Sequence, residues 1–192
     1  MLLLSIDVGI RNLAYIILEI DVEYNTDTII EWNNIELCDS CENASKVDNV
    51  IIGININKKF SSILEKYTFD KIIIENQIGK NAIKMKSIQN MLVMYFIMKD
   101  YDETQMVNYN AVNKLKYYLE KKKTTYAERK KLSKLIVKEL CNNIYTDWLE
   151  YFNKSKKKDD LSDCLLQVLD YTRKFKLIKN SDENKIVIKE LV

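Results

Sequence analysis

Four acidic residues stand where a carboxylate is costly unless something balances it. Asp7 ends the apolar run Leu2-Leu3-Leu4-Ser5-Ile6, and Glu75 ends Ile72-Ile73-Ile74. A carboxylate closing a buried run needs hydrogen bonds, a cation or a metal ion. Asp160 and Asp163 lie three apart in Lys-Lys-Lys-Asp-Asp-Leu-Ser-Asp, so on a helix both project from one face of its first turn. Each has an ordinary explanation too. A strand-end acid can sit in water, and acids in a first helical turn satisfy free amides and favour the helix dipole. Acids on two neighbouring central strands and a late helix could also meet at one point. Each like-charged pair about 4 Å apart then repels by about 4 kcal/mol at an effective dielectric of ~20, which divalent cations relieve. Hard oxygen donors favour Mg²⁺ or Mn²⁺ over zinc. Two such ions about 3.5 to 4 Å apart can activate a water and stabilise the leaving oxygen in phosphodiester hydrolysis.

Composition narrows the alternatives. The 192 residues contain no histidine, which removes Ser/His and Cys/His nucleophile pairs, HExxH zinc chemistry and any imidazole acid or base. Only three glycines (Gly9, Gly53, Gly79) are present, so there is neither a GxGxxG nor a P-loop to close backbone amides on a phosphate. No nucleotide cofactor is therefore expected. The longest uncharged run, Ser87 to Met98, is 12 residues, short of the roughly 18 to 20 that a bilayer span needs. No membrane association is expected. Asp7 interrupts an N-terminus without a basic leader, and Cys38, Cys41, Cys141 and Cys164 accompany no secretory signal, so reduced thiols in a cytoplasmic compartment are expected. Cys38 and Cys41 form a lone CxxC with no second pair and no histidine, which reads as idle thiols rather than a zinc site.

The elements that must position the acids follow from the apolar pattern. Residues 2 to 8 and 13 to 20 predict a hairpin of buried strands, with a third strand near 28 to 37. The stretch 38 to 55 is polar and irregular, and it leads into an amphipathic helix near 56 to 67. Asp70 to Glu75 predicts a strand buried on both faces, followed by a long helix at about 81 to 99 and a fifth strand at 104 to 109. Everything beyond about 110 reads as helical; in the last helix, Leu161, Cys164, Leu165, Val168, Leu169 and Thr172 follow helical spacing. One α/β domain over residues 1–192 accounts for this order.

Charge is segregated along the chain. Residues 19 to 50 carry nine acids and one base, whereas residues 114 to 134 carry nine bases and two acids, so the net +2 conceals a dipolar molecule. Lysines lie on several segments around the acids: Lys80, Lys84 and Lys86; Lys121, Lys122 and Lys123; Lys131; and Lys157. A lysine run is commonly a solvated face, but runs flanking buried-looking acids suit a phosphate-binding surface.

The ordered set SIDVGIRN, IIIENQ and KKDDLSD resembles the RuvC-type junction resolvases of the ribonuclease H-like superfamily, and most closely those of poxviruses, over roughly residues 2 to 172. The resemblance implies a five-stranded mixed sheet, its first three strands antiparallel, flanked by helices. It also implies a two-metal active site, with Asp7, Glu75, Asp160 and Asp163 as catalytic acids and metal ligands. The segment YAERKKLS resembles the basic segment before the last acidic pair and makes Lys130 the catalytic-site lysine, with Lys131 as alternate. Leu13 stands where many viral relatives have proline, and the insertion from Cys38 to Asn55 matches nothing in the family pattern.

The activity so implied is a Mg²⁺-dependent endonuclease, with Mn²⁺ able to substitute, that resolves four-way (Holliday) DNA junctions by paired nicks. If the chain is viral, the infected-cell cytoplasm and the virion are its expected locations. A related nuclease acting on another branched DNA or RNA, and a non-catalytic DNA-binding protein of the same fold, are the competing readings. Paired cuts in a nearly two-fold symmetric junction call for a homodimer. The helix at 81 to 99 is apolar on every side from Met91 to Met98. Either a second copy or the helices beyond residue 110 must cover the side turned away from the sheet.

Overall fold

The computed structural model describes residues 1–38, 44–79, 82–119 and 124–178. Lys80, Lys121, Lys122, Lys123 and Cys41 lie outside the described residues.

The first strand, β1 (Leu2–Asp7), is buried through its middle, as its run of leucines dictates. It turns back into β2 (Leu13–Asp21), with Asp7 opposite Ala14. Gly9 makes that turn possible. A Cβ there would lie 2.5 Å from the backbone oxygen of Asn12, a contact that no side-chain motion relieves. β2 pairs antiparallel with β3 (Thr26–Ile35), and the sheet continues on the other side through β4 (Lys71–Glu75) and β5 (Met106–Tyr109) in the order β3-β2-β1-β4-β5. β4 runs parallel to β1, and β5 parallel to β4. The expected five-stranded mixed sheet with three antiparallel leading strands is thus the observed one.

Alternation along the strands decides which helices face the acids. Leu4, Ile6, Ile72 and Ile74 face α1 (Asn49–Leu64) and α2 (Ile83–Ile97), with Ile52, Ile56, Phe60, Ile88, Leu92 and Phe96 in one core. Leu3 and Ile73 face the other core, which α3 (Tyr126–Asn143), α4 (Leu149–Lys154) and α5 (Lys158–Lys174) complete. Because side chains alternate with a period of two, Asp7 and Glu75 share the side of Leu3 and Ile73 and therefore point toward α5.

Several boundaries differ from the sequence reading. α1 begins at Asn49, so residues 49 to 55 are helical rather than irregular; Asp48 caps it, its Oδ1 accepting from the Val50 amide at 2.7 Å. Ile, Val, Asn and Gly53 carry little intrinsic helix preference, and burial of Ile52 and Ile56 outweighs it. The fifth strand starts at Met106, because Asp102 gathers the preceding residues into a turn by accepting from the Thr104 and Gln105 amides. Beyond residue 110 the chain first makes a short 3₁₀ turn, Ala111–Asn113, and further turns before α3. Thr125 and Glu128 form a reciprocal capping box at the start of α3.

Candidate active site

The four acids converge on one open cavity of about 580 Å³ at the C-terminal ends of β1 and β4. Register brings the first two together. Ile6 pairs with Ile74, and one further residue on each strand places Asp7 beside Glu75. α5 supplies the other two and is pinned above them. Gln167, 1% exposed, donates from Nε2 to Ser5 Oγ at 3.1 Å and to the carbonyls of Ile6 and Ile73 at 3.2 and 3.3 Å. Ser5 Oγ returns a bond to the Cys164 carbonyl at 3.0 Å, and Trp32 Nε1 donates to the Leu161 carbonyl at 3.1 Å. Asp163 is one turn before Gln167, so this clamp sets it over the two strand ends.

Electrostatics show how much negative charge is crowded here. Burial, followed by the charge of Glu75, a hydrogen bond with Glu75 and the charge of Asp163, raises the Asp7 carboxyl well above its ordinary range. Burial also raises Asp163, and the Lys114 ammonium offsets part of the effect. Asp160 is pushed up to about 6, first by burial and then by Asp159. Shifts of this kind, from burial and a crowd of like charges in a cleft, are a feature that functional sites share.

Lys114 is the residue that the sequence reading did not single out. Its Nζ lies 2.7 Å from Asp163 Oδ1 and 3.9 Å from Glu75 Oε1, with its side chain 14% exposed. Burial alone would lower its pKa, but the charges of Asp163, Glu75 and Asp7 outweigh burial and raise it. Lys130 lines the same cavity from α3, but its Nζ is hydrogen-bonded to Asp159 Oδ2 at 2.8 Å. That bond raises the lysine's pKa, against the opposing effect of burial. Lys131, the alternate, is exposed and does not line the cavity. Lys84 is committed elsewhere, donating to the Val47 carbonyl at 2.6 Å and to Asn49. Lys86 and Lys157 are exposed. Cys38, Cys141 and Cys164 are buried free thiols.

No three acidic or thiol side chains among the described residues converge tightly enough to hold an ion as they stand. The donor chemistry nonetheless fits a hard divalent cation. Four carboxylates share one cavity, Asp7 is held from ionising first by burial and then by the neighbouring Glu75 and Asp163, and the Lys114 ammonium already serves as a cation between two of the acids.

Comparison with known proteins agrees with this fold. The fowlpox virus resolvase, solved with its substrate Holliday junction DNA, has a TM-score of 0.60 and 24% identity over 91% of this chain and 99% of that chain. The yeast mitochondrial Holliday junction resolvase Ydc2 has a TM-score of 0.65 and 18% identity over 94% of this chain and 83% of that chain. RuvC of Thermus thermophilus has a TM-score of 0.59 and 12% identity over 91% of this chain and 97% of that chain. A curated relative, the uncharacterized protein L451 of Acanthamoeba polyphaga mimivirus, is 29% identical over 158 residues, or 68% of this chain. This chain spans 38% of that relative's length. The model of the poxvirus A22 protein family matches residues 1–174. With the RuvC-type, ribonuclease H-like sheet in place and the family match running nearly end to end, the chain belongs to the poxvirus A22 protein family.

Proposed function

We propose that this chain is a divalent-metal-dependent endonuclease that resolves four-way DNA junctions by paired nicks. The observation that carries the reading is the convergence of Asp7, Glu75, Asp160 and Asp163, from two strands and one helix, on a cavity whose wall also presents Lys114, Arg129 and Lys130. Carboxylates for metal and cations for phosphate occupy one opening. The structural neighbours include a resolvase solved on Holliday junction DNA, which supports branched DNA as the substrate class.

Asp7, Glu75, Asp160 and Asp163 would hold two Mg²⁺ ions, with Mn²⁺ able to substitute. Bound there, the ions supply an activated water and charge stabilisation at the leaving oxygen. The chain's own groups do the rest. Lys114 offsets part of the acid cluster's charge and bridges Asp163 and Glu75. Lys130, steadied by Asp159, faces the cavity where the reacting phosphate would lie and offsets the charge that grows there. Exposed lysines, among them Lys86, Lys131 and Lys157, supply long-range attraction to the DNA backbone.

A homodimer would place two such cavities on one junction. The α2 face turned from the sheet is open, with Met94, Ile97 and Met98 54%, 48% and 72% exposed. Among the described residues, α3, α4 and α5 lie on the opposite side of the sheet and do not cover it. This face is the proposed contact between the two copies.

Incubation with synthetic four-way junctions, Y-forks, linear duplex and RNA/DNA hybrid, each with Mg²⁺ or EDTA, tests the reading. Junctions should be cut in Mg²⁺ and left intact in EDTA, with duplex a poor substrate throughout. Cleavage in EDTA, or equal cutting of linear duplex, would overturn it.

A further inference from the structure

Glu75 is tied to a helix on the other side of the sheet by a chain of amides. Gln77 Nε2 donates to Glu75 Oε2 at 2.8 Å, and the Gln77 backbone N–H donates to Gln89 Oε1 at 2.9 Å. Gln89 belongs to α2 and is 4% exposed. Its Nε2 donates to Asn108 Oδ1 of β5 at 2.9 Å and to Asn76 Oδ1 at 3.3 Å. The Asn76 backbone N–H in turn donates to the Tyr109 carbonyl at 2.8 Å.

A buried primary amide is expensive to desolvate unless its donors and acceptor are used, and here both N–H groups and the carbonyl are. Core packing does not call for an amide at this place. Ile88 and Leu92, on the same helix, fill the core with no exposure and no hydrogen bond to satisfy. What the amide accomplishes is to fix the two residues after β4, Asn76 and Gln77, against both α2 and β5. Glu75 is the last residue of β4; besides Gln77 its carboxylate meets the Asp7 carboxyl and, at 3.9 Å, Lys114 Nζ, and the 2.8 Å bond from Gln77 fixes its second oxygen.

We propose that Gln89 and Gln77 are positioning residues: Gln89 anchors the segment 75–77, and Gln77 holds the Glu75 carboxylate toward the cavity. The inference rests on the metal-dependent nuclease reading, since it treats Glu75 as a group that receives an ion. A partner that orients a ligand commonly changes metal affinity or activity by about 10- to 100-fold when removed.

The test replaces each glutamine by methionine, which keeps an unbranched side chain of similar length and removes the amide. Mn²⁺ affinity of the DNA-free protein is measured by electron paramagnetic resonance of free Mn²⁺. Junction affinity is measured in Ca²⁺, and the single-turnover cleavage rate at saturating junction. Gln89→Met and Gln77→Met should each weaken Mn²⁺ binding and slow saturated cleavage by about tenfold or more, while junction affinity stays within about twofold. Gln77 is half-exposed, so its variant decides the matter even if Gln89→Met does not fold. Folded variants with wild-type Mn²⁺ affinity would overturn the relay and leave the nuclease reading intact. A wild-type protein whose Mn²⁺ affinity depends on both glutamines, yet which cuts no branched DNA, would support the relay and overturn the nuclease reading.

Discussion

Asp7 and Lys114 act on the stability of the metal-free chain with opposite sign. Asp7 is forced into a cluster that already holds Glu75 and Asp163, whereas Lys114 supplies the charge that makes the cluster tolerable. Asp7→Asn should therefore raise the melting temperature in EDTA at neutral pH while abolishing cleavage, and Lys114→Met should lower it. Differential scanning fluorimetry reads both, and shifts of the same sign would contradict the assignment. Asp160 adds a pH dependence. Burial pushes its carboxyl up to about 6 in the folded chain against an ordinary value of 3.8, so the fold binds this proton more tightly than the unfolded chain does. That contribution is full below about 3.8 and is lost as pH rises through about 6. In EDTA, the fall in melting temperature between about pH 5 and 7.5 should be smaller for Asp160→Asn than for the wild type. The four acids were legible in the sequence because each closes an apolar run or opens a patterned helix. Lys114 was not, since its meaning comes from β5 lying beside β4, which no local spacing records.

At the scale of elements, burial wrote the strands plainly and left helix starts obscure. Leu2 to Ile6 and Ile72 to Ile74 read as buried strands, and both lie inside the sheet. The start of α1 escaped because its first turns are rich in β-branched residues and asparagine, and its cap Asp48 sits within a generally acidic stretch. The orientation of α5 was half legible. Its apolar stripe was plain, but the clamp of Gln167 on Ser5 and two strand carbonyls joins residues about 160 and 95 positions apart. The β1–β2 turn, which carries the chain away from Asp7, is closely packed at Gly9. Gly9→Ala should cost about 1 to 3 kcal/mol, because the added methyl meets backbone and forces the turn to shift. Urea denaturation measures this, and an unchanged midpoint would show that the turn accommodates a Cβ.

For the whole molecule, the sheet separates two tasks. One face, with α3 and α5, builds the acidic cavity and its basic wall, and the other, with α1 and α2, leaves an apolar helix surface open. The sequence showed that the second half of α2 is apolar on every side but could not show which elements would cover it. Among the described residues, α3, α4 and α5 all lie across the sheet from it. Met94→Glu should convert a wild-type dimer to monomers in sedimentation velocity and uncouple the two nicks, leaving single-nicked junctions. A wild-type protein that sediments as a monomer while still making paired cuts would overturn the dimer. The central claim is tested most directly by mapping nicks on an end-labelled four-way junction under single-turnover conditions in Mg²⁺, comparing the wild type with Asp7→Asn. Opposed, symmetric nicks from the wild type and none from a variant that still binds the junction are the expected result; cutting by Asp7→Asn at the wild-type rate would contradict the account.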